Sequence, residues 1–279
     1  MRRFQCALLA AVAVIGFASV ASAADMPVKA PVAPVAVPYN WTGFYVGANI
    51  GGGWGSRSVD YTANDPLATL FLLPAVSFNT SGVIGGLQLG YNWQFNRNWL
   101  IGIETDFDGS GMKGPGSSSG NRLDQNPFTA TVDEHIKWFG TVRARLGYLP
   151  ADNLLAYVTG GLAYGRVEHT GSYVNNNSSG FSITNTVGGT TFNVTCNGNV
   201  TCFTGSSSSM ATGWTLGGGL EYAVWQHWTL RAEYLYVSLY GKSVTETALA
   251  SPGNTPASFN ANYSRTNFNV ARVGVNYRF

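Results

Sequence analysis

From Trp41 onward the apolar positions recur every second residue, and no helical period fits them. In the first segment Phe44, Val46, Ala48, Ile50 and Trp54 share one parity, against Tyr45, Gly47, Asn49, Gly51 and Gly53. Val83, Leu87, Leu89, Tyr91 and Trp93 alternate with Gly86, Gln88, Gly90 and Asn92, and Trp99, Ile101, Ile103 and Phe107 with Glu104, Asp106 and Asp108. A fourth segment sets Ile136, Trp138, Val142, Ala144, Leu146 and Tyr148 against Lys137, Thr141, Arg143 and Arg145. Three more follow: Leu154–Gly165, Trp214–Tyr222, and Trp228–Tyr236 with Arg231 and Glu233 on its polar parity. The last opposes Ala271, Val273, Val275, Tyr277 and Phe279 to Arg272, Gly274, Asn276 and Arg278, while Phe268 and Val270 break its parity, which suggests a bulge or a portion above a membrane. Eight strands are predicted.

The chemistry of the two faces separates a soluble sandwich from a membrane barrel. A sandwich turns a Lys- and Glu-rich face to water, whereas here the polar face is Gly, Asn and Thr with a few charges of both signs. Most apolar faces begin or end in Trp or Tyr, as in the aromatic girdles of transmembrane barrels. Connections sort as well. Those near Asn96–Asn98, Pro150–Asn153 and Val224–His227 are tight, and every other connection is long. Outer-membrane barrels alternate short periplasmic turns with long extracellular loops in this way. The expected fold is all-β: an eight-stranded antiparallel transmembrane β-barrel with short periplasmic turns, long extracellular loops and both termini periplasmic.

Composition agrees. Of 279 residues only 11% are charged, replaced by 35 glycines and 13% aromatics, where soluble domains average about 25% charged. The longest apolar run, Ala7–Ala18, is too short for a membrane-spanning helix. Arg2 and Arg3, this apolar run and Ala21-Ser22-Ala23 read as a secretory signal peptide over residues 1–23, cleaved between Ala23 and Ala24, with Cys6 leaving alongside it. Without Arg2 and Arg3 the net charge of +2 falls to zero. No basic stripe remains to track phosphates, so nucleic acid is not an expected partner. Residues 24–40, with Pro27, Pro31, Pro34 and Pro38, read as a Pro-rich periplasmic linker, and residues 41–279 as the barrel domain.

NWTGFYVGANIGGGWG (Asn40–Gly55), YVTGGLAYG (Tyr157–Gly165), GWTLGGGLEYAV (Gly213–Val224), WTLRAEYLYV (Trp228–Val237) and NVARVGVNYRF (Asn269–Phe279) together resemble the outer-membrane immunogenic protein family of Gram-negative bacteria, small porin-like eight-stranded barrels. The resemblance implies an integral outer-membrane location and surface-exposed loops, and it implies no chemistry. The terminal Phe279, with Val275 and Tyr277 before it, resembles the signal read by the barrel-assembly machinery. That machinery, periplasmic chaperones, outer-membrane lipid, lipopolysaccharide and a possible surface ligand on the loops are the expected partners; no cofactor is expected.

Eight strands leave an interior about filled by side chains. The lumen parity carries Glu104, Asp106, Glu221 and Glu233 with Lys137, Arg143, Arg145, Arg231, Arg272 and Arg278. In so narrow a space these charges must pair, and a structural salt-bridge plug is favoured over a solute filter. Cys196 and Cys202, in an Asn/Ser/Gly/Thr-rich loop, suit a local disulfide worth about 2.4 kcal/mol; the loop Asn175–Ser209 around them reads as flexible and able to bury little surface. No metal site is expected. One outside possibility is a barrel hydrolase: His135 falls on the lumen parity near Asp133, opposite Asp106 and Asp108, where it could activate water. The expected function is non-enzymatic, an envelope-stabilising barrel that displays surface loops, with a small-solute porin as the alternative.

Overall fold

The computed structural model describes residues 39–71, 74–121, 126–248 and 254–279. The signal peptide, its Ala23/Ala24 cleavage site, Cys6 and most of the Pro-rich linker lie outside them. The described chain is β throughout, apart from one 3-10 turn at Ala68–Leu70. Five long strands come first or nearly so: β1 (Gly43–Ala63), β2 (Val76–Gln94), β3 (Trp99–Asn121), β4 (Pro127–Ala151) and β5 (Leu154–Asn175). A hairpin of β6 (Phe181–Val187) and β7 (Thr190–Cys196) leads to β8 (Thr201–Ala223) and β9 (Trp228–Leu239). The chain ends with β10 (Ser243–Ala248), β11 (Thr255–Pro256), β12 (Ser258–Tyr263) and β13 (Thr266–Arg278).

Pairings run β2-β3-β4-β5-β8-β9-β13-β1, and β1 also pairs with β2, so the order returns on itself as eight antiparallel strands. Beyond the tops of β9 and β13 the ring continues, because β10 and β12 take their places between β8 and β1. Closure leaves no unpaired edge, which a lipid environment demands of every backbone group. The strands far outrun the segments visible in the alternation. Tight connections at 95–98, 152–153 and 224–227 lie at one end, and the long connections at the other.

The exterior is ordered in bands. Phe44–Tyr91, Trp99–Tyr148 and Trp228–Tyr277 are ring pairs near the tight turns; Phe107–Trp138, Trp54–Tyr234 and Trp214–Tyr236 form the opposite band. Between them Ile50, Leu87, Leu89, Ile103, Val158, Leu162, Leu216 and Val273 stand outward and at least half exposed. Ten residues separate Phe44 from Trp54; at ~3.3 Å per residue and a tilt of about 40° the band is ~25 Å tall, the hydrocarbon thickness of an outer membrane.

The interior is filled in layers. At the turn end Trp41, Leu100, Leu149, Leu155 and Tyr157 form an apolar floor. The segment before β1 turns into it: Trp41 is 1% exposed and donates Nε1–H to the Asp152 carbonyl at 3.1 Å, and Tyr39 packs alongside. A charged layer follows, then an apolar one of Ile84, Met112, Ile136, Phe139, Leu235, Val237, Phe268 and Val270. Phe268 and Val270 therefore break parity without a bulge, Val270 just below the level of Trp54 and Tyr236 and Phe268 one residue beyond it. The register from Trp54↔Asn269 to Tyr45↔Arg278 is unbroken, and both side chains point inward because this layer of the lumen is apolar.

The loop expected to be flexible is instead a lid. Val194, Cys196, Cys202 and Phe203 are at most 1% exposed and pack with Phe71, Phe128, Tyr173 and Phe259 into a cluster closing the far end. The β6–β7 hairpin extends over it, with β11 added in parallel to β7. Asp65 ties the β1–β2 connection to this lid, accepting N–H groups of Leu67, Ala68 and Ser258 at 3.0, 2.9 and 2.7 Å. The few large residues of the segment suffice because Phe181, Ile183, Phe192, Val194 and Phe203 all pack into one shared cluster.

Candidate functional site

The alternation of β3, β4, β8, β9 and β13 delivers the charged layer. Glu104, Asp106 and Asp108 stand on β3, Arg143 and Arg145 on β4, Glu221 on β8, Arg231 and Glu233 on β9 and Arg272 on β13. All nine are buried. Arg143 reaches Glu104 at 2.5 Å, Asp106 at 2.8 Å and Glu233 at 2.9 Å. Arg231 bridges Glu104 at 2.6 Å and Glu233 at 2.7 Å. Arg272 joins Asp106 at 2.5 Å, Asp108 at 2.6 Å and Glu233 at 2.6 Å, and Arg145 joins Glu221 at 2.8 Å. Two of these carboxylates are further tied by neutral donors, Asp106 by Thr141 and Glu221 by Thr229 and Asn276. Such satisfaction is what makes a buried charge tolerable.

Eight of the ten residues expected in this network meet there. Lys137 does not. A bulge between Ile136 and Trp138 inserts it between the ladders of β4 and β5, and one extra residue inverts the alternation beyond it. Lys137 is exposed and pairs with Glu168 at 3.1 Å on the outer surface, while Ile136, expected outside, is buried in the lumen. The same inversion turns His135 outward, opposite Lys113 and Glu168. It shares no space with Asp106 and Asp108, so the hydrolase geometry does not form. Arg278 is half-buried at the turn end, its guanidinium 4.2 Å from the Tyr39 ring, below the network rather than in it.

Three members went unexpected. Asp108 was visible on the right parity. Tyr45 and Tyr157 are large aromatics at lumen positions: Tyr45 donates to Glu104 at 2.5 Å and accepts from Arg145 at 2.8 Å, and Tyr157 donates to Glu233 at 3.0 Å beneath the Arg145 guanidinium at 3.8 Å. The available signal was the glycine facing each one. A Cβ at Gly90 would lie 2.3 Å from the Tyr45 hydroxyl, and one at Gly219 2.7 Å from that of Tyr157. These lumen glycines make room for rings.

A second polar group lies under the lid. Arg57 pairs with Glu134 at 2.9 Å and donates to the Arg265 carbonyl at 3.0 Å. His169 sits 3.6 Å from Glu134 with its ring against Tyr263, and burial, then Arg57 and Lys242, lower its pKa to about 4, so it is neutral. Glu246 is 1% exposed, and burial pushes its pKa up to about 8. Cys196 and Cys202 are joined, Cα atoms 5.1 Å apart, beside the lid cluster. Among the described residues no group of His, Cys, Asp and Glu could hold a metal ion.

A closed antiparallel ring, aromatic bands flanking an aliphatic one outside, and a paired charged interior define an integral outer-membrane β-barrel. The chain belongs to the outer membrane protein beta-barrel domain family, whose pattern it matches over residues 10–279. It is 34% identical to the 31 kDa outer-membrane immunogenic protein of Brucella melitensis, over 98% of each chain. It is 29% identical to a 22 kDa outer membrane protein of Rhizobium leguminosarum, covering 75% of this chain and 70% of that one. Among solved structures it aligns with the outer membrane protein OprG of Pseudomonas aeruginosa at 10% identity and a TM-score of 0.44, covering 87% of this chain and 100% of the other.

Proposed function

We propose that this protein is a non-enzymatic barrel that reinforces the outer membrane and displays a folded lid at the cell surface, with the turns at 95–98, 152–153 and 224–227 and both termini in the periplasm. The observation that carries this reading is the filled lumen: an apolar floor, a charged layer, an apolar layer and the lid succeed one another. A porin needs a water-filled path, and a guanidinium held by three carboxylates, as Arg143 is, has no capacity left to pass a solute. A hydrolase would need His135 beside carboxylates in a pocket, and it stands on the outer wall instead. The immunogenic naming of the Brucella relatives agrees with a surface-displayed lid. Biogenesis through the barrel-assembly machinery and periplasmic chaperones would read Val275, Tyr277 and Phe279, which stand outward on the closing strand β13 and just after it.

Planar-bilayer recording of the refolded protein tests the plug: no steady conductance is expected, and reproducible steps would move the assignment to a small-solute porin. Labelling of intact cells tests orientation. Cysteines placed at exposed Ser119 or Ser206 should react and one at Asn153 should not; the converse pattern would invert the topology.

A further inference from the structure

Outside the lumen, the exposed charges are not spread evenly. Among the described residues the exposed basic side chains are Arg97, at a tight turn, and Lys113, Lys137, Arg166, Lys242 and Arg265, all just beyond the upper aromatic band. Three of these five gather on neighbouring strands. Lys113 of β3 stands opposite His135 of β4, and His135 stands opposite Glu168 of β5. Arg166 stands opposite Trp138 and donates Nε–H to the Ser208 hydroxyl at 3.0 Å. The bulge is what adds Lys137, turning it out of the lumen to the same patch. Carboxylates answer only in part: Glu168 pairs with Lys137, and Asp133 stands exposed two pairs further out, opposite Pro115. Burial first, then Lys137 and Lys113 against an opposing Glu168, hold the His135 pKa below its usual value.

Immediately below lie Phe107, Trp138 and Tyr164, with ring centroids 5.1 and 6.2 Å apart in succession. Aromatic rings mark the depth where acyl chains give way to headgroups. Cations directly above such rings meet whatever anion the headgroups carry, and clusters of Lys and Arg at this depth recognise anionic lipid. In the outer leaflet of an outer membrane the headgroup is the sugar of lipopolysaccharide.

We propose that Lys113, Lys137 and Arg166, seated on Phe107, Trp138 and Tyr164, form a docking site for the anionic groups of a lipopolysaccharide headgroup. The sugar rings lie against the aromatics, the anions meet the three cations, and the acyl chains run down the aliphatic band below. The bulge in β4 thus has a use on each side of the wall: it places Ile136 in the apolar layer and supplies Lys137 to the lipid. The proposal rests on the orientation given above, and because binding by purified protein is independent of orientation, the labelling of intact cells fails or succeeds separately.

The test uses the full chain refolded in detergent and titrated with diphosphoryl lipid A. Lys113→Gln, Lys137→Gln and Arg166→Gln combined should weaken binding about tenfold or more. Lys242→Gln with Arg265→Gln, across the ring, should change it less than about twofold. An anion beside an imidazole favours its charged form, so lipid A should also raise the pKa of His135, read by NMR, in the unchanged protein and not in the triple variant. Persistence of the folded, heat-modifiable band qualifies each variant. Equal losses in the two variants, unchanged binding by the triple variant, or equally tight binding of dephosphorylated lipid A would each overturn the site.

Discussion

Replacing Arg143 by Met tests whether the charged layer is a structural plug. Arg143 is fully buried and holds Glu104, Asp106 and Glu233 at 2.5, 2.8 and 2.9 Å. Met fills much of the same space, so the loss is one of charge rather than volume. The layer then sets five carboxylates against Arg145, Arg231 and Arg272, and Asp106 keeps only Arg272 as an ionic partner. Breaking a buried pair costs about 3–5 kcal/mol because the surviving charge is left buried and uncompensated. Removing the charge left with fewest partners should restore part of this. Arg143→Met with Asp106→Asn should recover about 1–2 kcal/mol relative to the single variant, a coupling expected of residues sharing one network. The assay is urea unfolding in lipid bilayers followed by tryptophan fluorescence and by the heat-modifiable gel shift, since the eight tryptophans report the outer wall and, through Trp41, the lumen floor. An Arg143→Met barrel as stable as the parent, or strictly additive single and double variants, would refute the account of the layer as mutually dependent ion pairs.

Leu89 stands outward and half exposed near the middle of the aliphatic band, so Leu89→Arg should destabilise the bilayer-embedded barrel by about 2–4 kcal/mol, measured by the same unfolding assay. Val194→Asp puts an unpaired carboxylate into the closed lid cluster; proteolysis should then cut the β6–β7 region while the heat-modifiable band persists. The lid should also titrate. Burial raises the Glu246 carboxyl to about 8 from an ordinary 4.5, so its folded form keeps the proton; its contribution to lid stability is full below about 4.5, declines as pH rises through 8 and is level above. Glu246→Gln should abolish that decline, a gain of up to about 5 kcal/mol at pH 9, read by hydrogen exchange in β10 and β12. His169, held down to about 4, works from the other side: its contribution is full above about 6.5 and is lost as pH falls toward 4.

The alternation of apolar and polar positions, by itself, determined the strand class, the outward aliphatic and aromatic bands and most of the charged layer. A period of two is a local property: once Phe44, Val46 and Ala48 face lipid, Tyr45, Gly47 and Asn49 must face the lumen. Tight and long connections could be read for the same reason, since turn residues interrupt the period where they occur. The tertiary structure decided whatever depends on neighbouring strands. The bulge at Lys137 is invisible in β4 alone, because the extra residue exists only relative to its partner β5, and it reassigns Lys137, Ile136 and His135 together. Phe268 and Val270 looked misplaced because lumen was equated with polarity, although at their height Ile84, Met112 and Phe139 make the interior apolar. The lid was illegible for a further reason. Its sparse large residues, Val194 and Phe203 among Asn, Ser and Thr, have no periodic signature, and only the distant strands bearing Phe71, Phe128, Tyr173 and Phe259 give them something to be buried against.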